Sequence, residues 1–189
     1  MIRELVLRNR SYRRFDSGVS VTENILLELV DLARLSPSGA NRQPLKYYLS
    51  TKPEINERIF LCLAWAAYLK EWPGPMEGER PAAYIVILGD KRISASFGCD
   101  HGIAAQSTLL GAVEKGLGGC MIASIDRKGL QRTLNLSENL EILLVIALGK
   151  PVETVVLETV NAGGDIKYWR DEQEQHHVPK RPLKDLIIS

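Results

Sequence analysis

Four short segments of this sequence contain side chains that can bind an anion or the edge of a planar ring. The first is Arg10-Ser11-Tyr12-Arg13-Arg14-Phe15, directly after a predicted short helix. Guanidinium groups donate paired hydrogen bonds to phosphate, and the Ser11 hydroxyl adds another donor. A solvated basic turn is the ordinary alternative, because short clusters of charge usually lie at the surface.

The second segment is the polar loop Ser36–Pro44, between a predicted helix and a predicted strand. Ser38, Asn41 and Gln43 offer donors and acceptors that can recognise a heterocycle. Gly39 permits close approach of the backbone to a planar ligand. An ordinary turn is the alternative, since Ser, Pro, Gly and Asn form turns in most proteins.

The third segment, Gly116–Ser124, places three glycines between a helix and a strand. Such glycines either admit a cofactor to the backbone or simply form a tight turn. The dinucleotide fingerprint has the opposite order, since its glycines follow a strand and open a helix. The sequence therefore disfavours a Rossmann site.

The fourth segment, His176–Pro182, carries Lys180 and Arg181, which can meet the same anion as Arg10 and Arg13. The two adjacent histidines lack a cysteine or carboxylate at ligand spacing, so no metal site is predicted. The sequence contains no apparent Ser-His-Asp order, Walker loop or pair of catalytic carboxylates. The chemistry therefore depends on a cofactor that the protein positions, and no catalytic side chain is assigned.

Hydrophobic periodicity predicts the elements that position these segments. Asp100 is read as a helix cap, and Ser20–Glu23 has the spacing of a capping box. Helices and strands do not alternate regularly, which favours an α+β fold over a doubly wound parallel sheet. The tail beyond Gly163 is expected to wrap over the domain or over a partner chain. Helices are predicted over 2–9, from the capping box to before Pro37, from Pro53 to about Tyr68, over 100–115 and from Asp126 to about Leu134; strands are predicted over 45–51, 83–89, 120–123 and 140–148.

The composition indicates one domain of ordinary globular type. The chain has 189 residues, with 24 Lys and Arg against 23 Asp and Glu. This balance excludes the strongly basic profile of nucleic-acid and membrane-surface proteins. Three cysteines at irregular spacing support no disulfide framework, and buried reduced thiols are expected. Without a signal-peptide core or a membrane-length apolar run, we expect a cytoplasmic protein.

In their order and spacing, the four segments resemble the nitroreductase family. The matching patterns are Arg-Ser-x-Arg-x-Phe, Pro-Ser-Gly-x-Asn-x-Gln-Pro, and Asp-x-Gly-x-Ala-x-Gln at 100–106 running into Gly-Leu-Gly-Gly. A closing Pro-Lys-Arg lies near the C-terminus. The resemblance extends from Arg10 to Arg181, and it is the combination of the four patterns that makes it specific.

The resemblance implies a single α+β domain over 1–189, with a mixed central sheet flanked by helices. It implies an interlocked homodimer that exchanges its C-terminal tails and holds an FMN at each of two interface sites. In the first pattern, Arg10 would hold the phosphate beside Ser11, and Arg13 would lie near the N1–C2 carbonyl edge of the flavin. The other implied cofactor residues are Pro37, Ser38, Gly39 and Asn41 against the ring, the backbone of Met121, Ile122 and Ala123 facing N5, and Lys180 and Arg181 on the phosphate.

The reaction implied by the resemblance is ping-pong. NADH or NADPH reduces FMN and leaves, and a small acceptor such as a nitroaromatic or a quinone then enters the same pocket. Dehalogenation, dehydrogenation or breakdown of the flavin itself are alternatives on the same fold. A flavin carrier without turnover, or a protein for another phosphorylated ligand, are alternatives of a different class.

The sequence departs from the family pattern in two places. Asn9 stands where many members have an arginine, so phosphate binding would depend more on Arg10, Lys180 and Arg181. The region from Pro53 to Arg80 is short where other members carry helices that cover the pocket. Its Trp65, Tyr68 and Trp72 are candidates to stack on a substrate, although Trp65 and Tyr68 also suit ordinary helix packing.

Overall fold

The computed structural model describes residues 1–161 and 163–188, which form five α-helices and eight strands. The helices are α1 (Ile2–Arg8), α2 (Glu23–Leu35), α3 (Pro53–Phe60), α4 (Asp100–Glu114) and α5 (Arg127–Thr133), with 3-10 turns at Gly39–Asn41 and Leu183–Asp185. The strands are β1 (Phe15–Asp16), β2 (Leu45–Ser50), β3 (Ala83–Asp90), β4 (Gly118–Ile122), β5 (Leu140–Pro151), β6 (Val155–Thr159), β7 (Trp169–Arg170) and β8 (His176–Lys180).

The central sheet is built around the long strand β5. Strand β3 pairs along one edge of β5, while β4 and β1 pair along the other, and β2 completes the sheet beside β3. Every pairing of named strands in this sheet is antiparallel. Parallel pairing occurs instead between β6 and β8 and at an isolated bridge from Ser11 to Gly119.

Helices cover both faces of the central sheet. Side chains of β3 point alternately to the two faces, and on each face they join a different buried cluster. Ile85 and Ile87 face the cluster that contains residues of α2 and α4. Tyr84 and Val86 face the cluster that contains residues of α3 and α5. All eight residues of β3 are buried, as expected for a strand covered on both faces. The predicted α+β fold class is confirmed.

Helix α2 begins two residues later than the capping-box spacing predicts. Thr22 is the N-cap, and its hydroxyl accepts a hydrogen bond from the Ile25 N–H at 3.4 Å. Val21 precedes the cap and is buried in the same cluster as Leu26. Apolar contact across the first turn fixes the entry of the chain into the helix, which explains why Thr22 caps it instead of Ser20.

Helix α3 ends at Phe60, well before the predicted end near Tyr68. Beyond it, Leu63 forms a β-bridge with Ile125, and the Ala64 N–H donates to the Ser124 carbonyl at 3.0 Å. These bonds to the segment after β4 compete with helix continuation. The chain then turns through Ala66, whose φ of 43° lies in the left-handed region.

The tail folds into a second sheet with the strand order β6-β8-β7, which we call the tail sheet. Within this sheet, the His177 ring lies between two carboxylates, 2.6 Å from Glu158 and 3.0 Å from Asp171. The same ring stacks on Trp169 with centroids 4.1 Å apart. Hydrogen bonds to Asp171 and Glu158 raise the pKa of His177. His177 in β8 thus contacts Glu158 in β6 and Asp171 just after β7, which joins the three strands of the tail sheet.

Two further expectations concern the thiols and the membrane. Cys120 is buried and Cys62 is half-buried, but Cys99 is exposed next to the start of α4, so the expectation of buried thiols fails there. Across the described ranges, no helix combines the length and apolar character needed to cross a bilayer.

The tail sheet should lose stability as pH rises through the His177 pKa. Because the folded-state pKa is raised, the ion pairs contribute fully below the unfolded-state value of about 6.5 and vanish above the folded-state pKa. His177→Gln should therefore lower the free energy of unfolding more at about pH 6 than at about pH 9. Urea denaturation at both pH values measures this difference. His101→Gln is the control outside the tail sheet, and a difference independent of pH would contradict the prediction.

Candidate active site

The first and fourth segments meet at a cleft of about 400 Å³, which we call the Arg13 cleft. Helix α4 contributes Gln106 and Leu109 to one wall, and Met121 lies at the edge of β4. The remaining lining residues come from the basic segment and the tail: Asn9, Arg10, Ser11, Arg13, Tyr168, His176, Val178 and Lys180. Three cations therefore border one cleft, which suits an anionic ligand.

The basic segment is held in place by the fully buried carboxylate of Glu153. This carboxylate accepts hydrogen bonds from the backbone N–H groups of Arg13 and Arg14. Its second oxygen lies 3.2 Å from the guanidinium of Arg170. A buried carboxylate is costly unless it is paired and hydrogen-bonded, and these three partners satisfy it. Glu153 therefore joins the basic segment to Arg170 in strand β7 of the tail sheet.

Arg13 is buried, with 8% of its surface exposed, and its guanidinium has neutral partners. One nitrogen lies 3.1 Å from the Ser11 carbonyl and 3.1 Å from Nε2 of His176. The guanidinium also lies over the ring of Tyr168, 4.7 Å from its centroid. In the described part of the chain, no carboxylate lies within ion-pair distance of this guanidinium. Its charge remains available to a ligand.

His176 must be neutral to accept from Arg13. An arginine has donors only, so the contact requires a lone pair on Nε2 and a proton on Nδ1. Burial, followed by the charges of Arg13 and Arg170, lowers the pKa of His176 to about 4. Its Nδ1 is buried and has no hydrogen-bond partner among the described residues. At neutral pH the ring is thus an uncharged acceptor for Arg13.

The other candidate phosphate residues are placed unequally. Arg10 donates to the Val6 carbonyl at 2.6 Å, and its buried Nε has no partner within residues 1–161 and 163–188. Ser11 is exposed at the rim of the Arg13 cleft. Lys180 lines the cleft, whereas Arg181 is exposed and lies outside its lining. The structure thus brings Arg10 and Lys180 together and leaves Arg181 beside them.

A side chamber of about 220 Å³ adjoins the Arg13 cleft. Arg13, Met121 and Tyr168 line both, so these residues lie between the two spaces. Ile122 is buried in the core, while Ala123 is exposed at the end of β4. Residues 121–123 all line the chamber. Trp65 lines it as well, and its indole N–H is buried without a partner in the described chain.

Of the other two aromatic candidates, Tyr68 packs against Tyr168 with ring centroids 4.9 Å apart. Trp72 lies under the guanidinium of Arg170 at 4.4 Å. None of the three aromatic side chains lies on a helix, because α3 ends at Phe60. Tyr68 and Trp72 instead pack against the tail.

The glycines of the third segment are required by packing. A Cβ on Gly119 would collide with the backbone oxygen of Ala147, and one on Gly118 would collide with the ring of Tyr12. Gly116 has a φ of 73° and ends helix α4 in the left-handed conformation. Of the two interpretations of this segment, the close turn between helix and strand is the one that the structure favours.

Asp100 organises the second segment instead of capping α4, whose N-cap is Cys99. Its two carboxylate oxygens accept from the Ser38 hydroxyl at 2.6 Å and from the Gly39 N–H at 2.9 Å. Pro37 lies between Ser36 and this anchor and lines a separate cleft, the loop cleft, with Ser38 and Gln43. Ala40, Asn41 and Gln43 have φ values of 50°, 52° and 52°, which are uncommon for residues other than glycine.

Within one chain the two clefts lie on opposite faces of helix α4. Asp100 and Ala104 line the loop cleft, while Gln106 and Leu109 line the Arg13 cleft. At about 100° per residue, Asp100 and Leu109 point roughly 180° apart. Of the described residues, none lines both clefts. The four predicted segments therefore form two separate half-sites in a single chain.

The comparison with known proteins assigns the family. The model of the nitroreductase family matches residues 6–150, which is more than half of the chain. This chain belongs to the nitroreductase family. The Bacillus subtilis (strain 168) protein MhqN is 25% identical over 187 residues, covering 77% of this chain and 86% of MhqN. The family predicted from the sequence is confirmed.

Two solved structures show the same fold at lower identity. An FMN-dependent nitroreductase from Clostridium difficile R20291 has a TM-score of 0.67 and 22% identity, covering 80% of this chain and 88% of that one. An NADPH:FMN oxidoreductase from Vibrio harveyi, complexed with NAD+, has a TM-score of 0.69 and 20% identity. The match covers 98% of this nitroreductase and 75% of the Vibrio harveyi protein.

Three residues of this nitroreductase, two in the Arg13 cleft and one that anchors it, were not predicted from the sequence to contribute to the cofactor site. Glu153 and Tyr168 lie in no recognisable pattern, and His176 was considered only as a metal ligand. Residue 153 contacts residue 13 across 140 positions of sequence, so no local pattern reveals the pair. Gln106, by contrast, lies within the Asp-x-Gly-x-Ala-x-Gln pattern, which is part of the resemblance to the family.

Gly119→Ala should destabilise this nitroreductase, because the added methyl group would collide with the backbone oxygen of Ala147, which cannot move aside as the end of a side chain can. We expect a loss of about 1–3 kcal/mol in the free energy of unfolding, measured by urea denaturation. Gly102→Ala is the matched control, since a Cβ there meets no described atom within 4 Å and alanine favours the helix. Equal stability of the two variants would contradict the packing role of Gly119.

Proposed function

We propose that this protein is an FMN-dependent oxidoreductase that takes hydride from NADH or NADPH. The observation that carries the proposal is the buried, carboxylate-free guanidinium of Arg13 in a cleft with two further cations. The Clostridium difficile relative is an FMN-dependent nitroreductase, and the Vibrio harveyi relative is an NADPH:FMN oxidoreductase. The first name supports FMN as the cofactor of this chain, and the second supports FMN together with a nicotinamide donor.

The donor set of the Arg13 cleft fits FMN. The buried Nε of Arg10 lacks a hydrogen-bond partner in the described chain, as expected of a donor that a bound phosphate would satisfy. We propose that Arg10 and Lys180 hold the phosphate, with Ser11 beside them and Arg181 reaching in from the following position. Phosphate prefers such charge-assisted donors. Arg13, deeper in the cleft, is then left for the ring.

Arg13 would lie against the N1–C2 carbonyl edge of the ring, and the backbone of Met121, Ile122 and Ala123 would border N5. When bound, FMN supplies the hydride-transfer chemistry. A fixed cation in a partly dry cleft stabilises negative charge at that edge and favours the reduced cofactor. The protein's own contribution is therefore to bind, orient and polarise the ring, without a side-chain acid.

We propose that the complete site belongs to a homodimer of one domain over 1–189. Since Pro37, Ser38, Gly39 and Asn41 lie on the far face of α4, they would reach the ring from a partner chain. Large exposed apolar side chains are available for the interface. In α1 and in the C-terminal tail these are Ile2, Val6, Leu7, Leu183, Leu186, Ile187 and Ile188. The last four suit a tail exchanged between chains.

The side chamber of about 220 Å³ is the space next to the Arg13 cleft in which a small molecule would meet the cofactor. We propose that NADH or NADPH and the electron acceptor occupy this space in turn, which gives a ping-pong mechanism. The aromatic rings of Trp65 and Tyr168 on the chamber walls suit planar acceptors such as nitroaromatics and quinones.

The first test of this function is the visible spectrum of the purified protein, before and after NADH or NADPH is added without oxygen. We expect flavin bands that bleach with the donor and return with an acceptor. Arg13→Ala should weaken FMN binding by about 10- to 100-fold, because charge-assisted hydrogen bonds are lost, and should lower the reduction potential. Equilibrium titration with FMN measures the affinity.

The matched control is Arg58→Ala, which removes an exposed arginine from helix α3 far from the cleft. It should leave FMN affinity and potential unchanged. A protein that binds no FMN even after incubation would overturn the proposed function. Unchanged affinity in Arg13→Ala would remove Arg13 from the cofactor site.

A further inference from the structure

The tail brings a buried histidine to the cationic centre of the cleft, although the family match ends at residue 150. His176 is 1% exposed and opens strand β8. Its backbone N–H donates to the Thr154 carbonyl at 2.8 Å, and it pairs with Val155 of the parallel strand β6. Its position beside Arg13 is therefore fixed by the tail sheet and not by a mobile loop.

The charges around Arg13 are distributed in an unusual way. A buried arginine is commonly compensated by a carboxylate, and a suitable one, Glu153, lies nearby. Yet the oxygens of Glu153 are taken by the backbone N–H groups of Arg13 and Arg14 and by the guanidinium of Arg170. Arg170 thus pairs with Glu153, while the Arg13 guanidinium keeps only neutral partners: a carbonyl, an imidazole and a phenol ring.

We propose that His176 is a positioning residue that aims the Arg13 guanidinium at the flavin while leaving its positive charge uncompensated. This inference rests on the proposed function, in which FMN occupies the Arg13 cleft. An imidazole acceptor fixes the direction of Arg13 as a carboxylate would, but it does not cancel the field that the ring experiences. His176 thereby tunes the reduction potential of the cofactor through Arg13, without itself reacting.

Three substitutions of His176 distinguish its effect on the direction of the Arg13 guanidinium from its effect on the charge around that guanidinium. His176→Gln keeps a neutral acceptor for Arg13, His176→Glu adds a negative charge to a side chain of the same length, and His176→Leu removes the acceptor. The quantities measured are the midpoint potential of the bound flavin, by dye equilibration, and the FMN dissociation constant. His177→Gln serves as the control for a loosened tail sheet, because His177 faces Glu158 and Asp171 instead of Arg13.

We expect His176→Gln to keep a potential close to that of the unmodified protein. His176→Glu should shift the two-electron equilibrium at least tenfold toward oxidised flavin, which is about 30 mV. His176→Leu should weaken FMN binding about tenfold and lower the potential, since Arg13 is no longer directed. His177→Gln should lose stability without changing the potential.

The outcomes distinguish this inference from the proposed function. If the unmodified protein binds no FMN, the proposed function fails and this inference fails with it. If the unmodified protein binds FMN but the Gln, Glu and Leu variants all share its potential, only the role of His176 is overturned. If the Glu variant does not fold, the Gln and Leu variants decide, and equal potentials for these two would overturn the inference.

Discussion

The buried carboxylate of Glu153 is the contact on which the Arg13 cleft depends. It lies just beyond the end of β5, where the chain leaves the central sheet, and it binds the backbone of Arg13 and Arg14 together with the side chain of Arg170. A single anion thus fixes the basic segment, the end of the core and the tail sheet relative to one another. Because removing a partner of a buried charge is costly, these three parts are expected to move as a unit.

A second carboxylate, Asp100, has the same function on the other side of helix α4. It holds Ser38 and Gly39, and through them a loop with three uncommon backbone conformations. Strained backbone persists where its surroundings impose it, and such positions are concentrated at functional sites. The two anions thus each organise one half-site, and α4 separates the halves. This separation is the physical reason why we propose that the flavin lies between two chains.

The sequence predicted most of the core, because β3 and β5 are continuous apolar runs and α4 is rich in small residues that permit close packing. Four short patterns also singled out residues that line the two clefts, among them Arg13 and Ser38. It failed where distant parts of the chain compete with local preference: α3 stops at Phe60 because the following residues bond to the segment after β4. The contacts of Glu153 and His176 with Arg13 could not be predicted, because Arg13 lies more than a hundred positions away in the sequence. The separation of the half-sites could not be predicted either, because it depends on which neighbours line each face of α4.

The claim at the centre of this account is that each flavin site combines the Arg13 cleft of one chain with the Ser38 loop of its partner. The most direct measurement is the FMN stoichiometry of a heterodimer, made by co-expressing Arg13→Ala and Asp100→Ala chains with different tags. In that heterodimer, one site carries both defects and the other carries none. The account predicts one FMN per heterodimer, bound as tightly as by the unmodified protein. A heterodimer without any tight site would show that both segments act within one chain, and would contradict the account.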